Sequence, residues 1–359
     1  MTKPLTSRDR VRTTLAHCEP DRVPIDYVGN GGINRRLMAH FGLGGSDYGG
    51  LLDALNVDFR TVGAPYSGPR LHAEIPGKNV DPCWGIQTVW IEHESGGYND
   101  YTGWPLKDAS EELLRTWPMP SPDDYDYSAI PAQIARNPDK CIVLGGAGGP
   151  DIINSTGMIR TMEQTLLDLA TEDEAALAFI DRRIDILHEV MARSLEAAGG
   201  RIDLIWMGED LGTQKGPMIS VPMFRKLIRP RHQKVVDLAK SFGVPVMIHS
   251  CGSSSWAFDD FAEMGISVVD TLQPEAADMA PAYLKDRYGS KLCFHGCIST
   301  AGPVAYGSVQ DVVDVCRETL AVMMPGGGYC FAPTHALQDN SPTENVLAMY
   351  DTALRCGAY

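Results

Sequence analysis

The chain of 359 residues is predicted to fold as an α/β protein of the (β/α)8 TIM-barrel class. Three observations carry this: eight strand-like runs, helical patterns between most of them, and no linker dividing the chain. Strands that alternate with helices pair in parallel, because a parallel neighbour needs a crossover and a helix is the usual one. Eight such units are enough to close a barrel. An open doubly wound sheet is the alternative, but the dinucleotide-binding glycine fingerprint is missing.

The strand-like runs fall at residues 23–27, 58–62, 141–145, 202–208, 244–249, 266–271, 291–296 and 328–333. Helical patterns occupy 171–198, 232–241, 308–323 and 342–354. Thr171 and Glu174 have capping-box spacing, and Gly199-Gly200 stops that helix. Ser341, Pro342 and Glu344 form another start signal. The proline-rich run Trp117-Pro118-Met119-Pro120-Ser121-Pro122 reads as a rigid loop and not as a boundary. Gly145-Gly146-Ala147-Gly148-Gly149 follows a strand but lacks full phosphate-loop spacing, and reads as a tight loop passing near a ligand. The expected organisation is one domain over 1–359 with an N-terminal helical extension.

Composition narrows the function. A net charge of −15 argues against nucleic-acid or anionic-membrane surfaces, which need concentrated Lys and Arg. No stretch approaches the roughly 18 apolar residues of a membrane span. The opening MTKPLTSRDR has no apolar signal core, so a cytoplasmic protein is expected. The nine cysteines show no disulfide-framework spacing and are expected to be reduced.

In a barrel, function sits at the carboxyl ends of the strands. The fourth run delivers Glu209 and Asp210 there, the fifth His249 and Cys251, the sixth Asp270 and Gln273, the seventh His295 and Cys297, and the last His335. His249-Ser250-Cys251 follows the apolar run 244–248. Side chains two apart on a strand share one side, so an imidazole and a thiol meet where the strand ends. Both are good zinc ligands, and a catalytic zinc takes three protein ligands and keeps one position open.

His335 and Cys330 compete as third ligand. Five strand residues span roughly 16 Å, so both cannot reach one ion. Cys330 lies in the apolar run Tyr329-Cys330-Phe331-Ala332, whereas His335 lies past the strand end; His335 is preferred. Glu209 and Asp210 are candidates for proton transfer or substrate orientation. Asn30, Gln214, Gln273 and His295 are candidate substrate-binding residues.

Several segments together resemble the uroporphyrinogen decarboxylase superfamily, and more closely its corrinoid-dependent methyltransferase branch. They are Ser7–Val11 with Glu19–Pro24, Gly208-Glu209-Asp210-Leu211-Gly212-Thr213-Gln214, His249-Ser250-Cys251-Gly252, Ala332-Pro333-Thr334-His335, and the run from Pro342 to Tyr350. The resemblance covers nearly the whole chain. It implies a barrel and a zinc-dependent methyl transfer between a small O-, N- or S-methyl substrate and a corrinoid protein. Thiol-handling members carry a distant cysteine where this chain has His335. The arginine-rich segment of true decarboxylases is replaced here by Asp26-Tyr27-Val28-Gly29-Asn30-Gly31-Gly32, so uroporphyrinogen is not the expected substrate. The chain has no Asp-x-His-x-x-Gly corrinoid motif, so the corrinoid (cobalamin) would come from a separate partner protein. A metal-free lyase and a non-catalytic binding barrel are the alternatives.

Overall fold

The computed structural model describes residues 5–359; the first four residues of the polar opening lie outside this range. Ten strands form among the described residues: β1 (Phe59–Val62), β2 (Asn79–Val80), β3 (Gln87–His93), β4 (Gly96–Tyr101), β5 (Cys141–Gly145), β6 (Leu204–Gly208), β7 (Val246–His249), β8 (Val268–Thr271), β9 (Cys293–Ile298) and β10 (Tyr329–Pro333). Seven build one sheet in the order β1-β5-β6-β7-β8-β9-β10, every pairing parallel. The expected alternation is therefore observed, with the helix Glu174–Ala197 between β5 and β6 and Val309–Met323 between β9 and β10. One cluster of buried apolar residues runs from Val11 to Ala353. No described helix is long and apolar enough to cross a membrane.

The expected first strand is corrected. Residues 23–27 form only an isolated parallel bridge, Ile25 to Phe331, so the observed sheet has seven strands and not eight. Pro24 has no N–H to give to a ladder. The segment still bonds on both flanks: Asp26 N–H donates to the Phe331 carbonyl at 2.9 Å, and Asp58 N–H to the Ile25 carbonyl at 2.8 Å. Ile25 N–H donates to the Asp58 carboxylate at 2.8 Å, so a side chain replaces a backbone acceptor.

Two helix starts are also corrected. Thr171 ends the helix Met162–Thr171, and Asp173 caps the next helix by accepting from Ala176 N–H. Glu172 in left-handed geometry separates the two. Helix Thr343–Cys356 has Pro342 at its cap position, and the Ser341 hydroxyl is buried without a partner.

The antiparallel sheet β2-β3-β4 was not foreseen. Its β3–β4 turn reaches the loop after β10. Gly97 N–H lies 3.4 Å from the Asp339 carboxylate, and a Cβ at Gly96 would stand 2.0 Å from it.

Candidate metal centre

Strand register brings the site together. Gly208 pairs with His249, His249 with Asp270, Asp270 with His295, and His295 with Cys330. In-register neighbours of a parallel sheet project to the same side about 4.8 Å apart. His249 and Asp270 are therefore adjacent, whereas Cys330 is three strands, or roughly 14 Å along the sheet, from His249. The sheet, not the local sequence, keeps Cys330 away from His249.

His335 reaches the site because it lies past β10, on the loop over the strand ends. One donor atom each from His249, Cys251 and His335 lie within 4.8 Å of one another. Cys251 Sγ is 3.2 Å from His249 Nε2, and the rings of His249 and His335 are 6.0 Å apart. These are the described residues that can hold a metal, and the donor set fits one. It supplies two imidazoles and a thiol, types suited to zinc. His249 Nδ1 is engaged by Asp270 at 2.6 Å, which leaves Nε2 facing Cys251. A carboxylate behind a histidine fixes its tautomer and ring orientation in metal sites.

Electrostatics follow from burial and pairing. Burial alone would lower His249, but its hydrogen bonds to Asp270 and Cys251 outweigh that and raise it. Burial would raise Asp270, yet His295 and His249 hold it well below the usual carboxylate range. Burial and the charge of His249 lower His335, which keeps that imidazole neutral. Burial raises the Cys251 thiol. A metal would displace the protons of His249 and Cys251.

The other expected residues fall into distinct places. Asp210 stands beside the triad: it accepts from Cys251 N–H at 2.7 Å and from the Asn154 amide at 2.8 Å, and lies 3.8 Å from His249 Nε2. Glu209 is 0% exposed, and its carboxyl accepts from Ile152 N–H and Ile153 N–H and meets His232 Nε2 at 2.7 Å. Burial raises Glu209 to about 8 and lowers His232 to about 4. Burial thus pushes both groups toward their neutral forms. His295 is 2% exposed, between Asp270 and Asp26. Gln214 and Gln273 pair with each other through their amides at 3.3 and 3.2 Å. Asn30 caps the helix Gly31–His40 and its amide lies 3.4 Å from Gln338.

The supporting groups were missed as such. Asp270 was read only as a rim residue. Thr271, whose hydroxyl is 2.8 Å from His249 Nδ1, has φ +93°. Such geometry costs a β-branched residue about 1–3 kcal/mol and concentrates at functional sites. Trp206 lies 6.5 Å from the His249 ring and 6.4 Å from the His295 ring, and its indole N–H is buried without a partner. With Tyr27, Tyr48, Phe59, Arg60 and Asp26 it lines a cavity of about 610 Å³.

Gly252 sets the chain's exit from Cys251. Its φ is +70°, and a Cβ would stand 2.5 Å from the Gly212 carbonyl. Gly252→Ala is expected to cost at least about 1–3 kcal/mol, read as a lowered midpoint in urea, and to disturb Cys251.

The profile described as Uroporphyrinogen decarboxylase (URO-D) matches residues 111–355. The chain belongs to the uroporphyrinogen decarboxylase family. A methyltransferase from Methanosarcina mazei has the same fold, with a TM-score of 0.64 at 17% identity over 98% of this chain and 99% of that one. Reducing-end xylose-releasing exo-oligoxylanase Rex8A of Paenibacillus barcinonensis is 31% identical over 94 residues. That match spans 26% of this uroporphyrinogen decarboxylase-family chain and 24%, about a quarter, of the curated relative.

Proposed function

We propose that this chain is a zinc-dependent methyltransferase that moves a methyl group from a small O-, N- or S-methyl donor to the corrinoid of a separate protein. The convergence of His249, Cys251 and His335 within 4.8 Å, at the carboxyl end of a parallel sheet, carries this reading. The methyltransferase fold likeness and the family membership support it.

His249, Cys251 and His335 would hold the metal. Zinc bound there supplies Lewis acidity without redox chemistry, which makes the ether, amine or thioether atom of a donor a better leaving group. A reduced corrinoid on the partner would supply the electron pair that takes up the methyl group, while the pair of the methyl–heteroatom bond would stay on the departing heteroatom. Asp210 is placed beside the triad to orient the donor or carry the proton that atom takes up. Glu209 holds the start of the helix Ile152–Arg160 from a fully buried position. The cavity lined by Trp206, Phe59 and Tyr27 would receive the donor, and Trp206 is the lining residue whose ring lies near His249, 6.5 Å away. Gln214, Gln273 and Asn30 carry amides that are further candidates for donor contact.

Elemental analysis of the wild type beside Cys251→Ala, His335→Ala and Cys330→Ala tests the metal set. Near-stoichiometric zinc is expected in the wild type and in Cys330→Ala, and its loss in the other two. A folded wild type that takes up no supplied zinc would overturn the reading and favour a metal-free lyase or a binding barrel.

A further inference from the structure

Behind His249 a hydrogen-bonded line runs across the sheet. Asp270 uses both oxygens: Oδ2 takes the His249 Nδ1 bond at 2.6 Å and Oδ1 the His295 Nδ1 bond at 2.6 Å. His295 Nε2 meets Asp26 Oδ2 at 3.1 Å. Asp26 is itself held, since its Oδ1 accepts from Tyr27 N–H at 2.8 Å and its carbonyl from the Tyr350 hydroxyl at 2.9 Å. The Phe59 ring meets His295 edge-on at 5.7 Å.

Each link removes a rotation. A carboxylate anchored through one oxygen can turn about its terminal torsion, which is broad and roughly two-fold. Anchored through both, it cannot turn without breaking a buried hydrogen bond. His295 in turn cannot flip, because carboxylates stand at both of its nitrogens and donation to both fixes the ring.

We propose that His295 is a positioning residue for the metal centre: through Asp270 it fixes the His249 ring with Nε2 toward Cys251 and His335. Asp26 ties that line to the segment 23–27. The inference rests on the metal reading of the site. It replaces donor contact as the role of His295, whose ring nitrogens are both occupied.

The test is the zinc dissociation constant of the full chain, by competition with a chromophoric chelator, together with the visible spectrum of the cobalt-loaded protein. His295→Phe is expected to weaken zinc about 10–100-fold and to shift the cobalt bands. His295→Gln, which keeps an N–H toward Asp270, is expected to recover most of the affinity. Cys330→Ala, beside His295 on the same rung, is expected to match the wild type. Should the phenylalanine variant not fold, His295→Asn, too short to reach Asp270, is expected to show the same loss. Folded variants that hold zinc within about threefold of wild type, with unchanged cobalt bands, would overturn the inference alone. A wild type without zinc affinity would overturn the metal reading as well.

Discussion

Asp270→Ala is expected to weaken zinc binding about 10–100-fold, measured by chelator competition, because it strips His249 of its orienting carboxylate. The same change leaves His295, which two carboxylates face in the wild type, buried against Asp26 alone. Breaking a buried charged pair from one side costs about 3–5 kcal/mol, so the variant should also unfold at lower urea. Asp270→Asn separates the two effects. Its amide can accept from His249 with the oxygen and donate to His295 with the nitrogen, provided His295 gives up its Nδ1 proton. Zinc affinity should then fall less than in the alanine variant. If Asp270→Ala and His295→Phe act through one line, their combined loss of affinity will be smaller than the sum of the two.

Asp58→Ala is expected to destabilise the fold by about 3–5 kcal/mol, read from the urea midpoint and slope. Asp58 is fully buried and accepts from Arg10 at 2.7 Å, from Arg22 at 2.8 and 3.1 Å, and from Ile25 N–H at 2.8 Å. Alanine leaves two guanidinium groups short of a partner, although Asp21 still holds Arg10 at 2.7 and 2.8 Å. It also removes the acceptor for Ile25. Asp58→Asn, which keeps an acceptor for Ile25 N–H, should lose less. Metal content should follow stability in both variants, because Asp58 stands away from the triad.

The parallel alternation was legible because each strand is a short apolar run closed by glycine or a polar group. His249 and Cys251 were legible from their spacing by two where a strand ends, although β7 stops at His249 and Cys251 lies just past it. His335 was preferred because it lies past the strand end, but what removes Cys330 is its place three strands across the sheet on the same rung as His249. The roles of Asp270 and His295 were not legible, because they depend on register between β7, β8 and β9, which is a property of the folded sheet. Glu209 was misleading from composition alone. A carboxylate beside Asp210 reads as a rim group, yet its backbone position turns it toward Ile152, Ile153 and His232. The β3–β4 arm was missed because its residues do not alternate cleanly: Trp90 and Ile91 are consecutive and both exposed.

The segment 23–27 is made early in synthesis, but its partner on one flank comes from β10, near the end of the chain. The bond from Phe331 N–H to the Pro24 carbonyl, 2.8 Å long, joins two positions that the ribosome releases far apart in time. Closing so long a loop brings its entropy cost before any reward. This flank therefore waits, while Asp58 on the other flank is already available and can hold Ile25 in place. The early half of the seam acts as a template for the late half, and Asp26 travels with it. The outer support of His249 is thus completed only when β10 arrives, and His335, which follows β10, can join His249 and Cys251 no earlier.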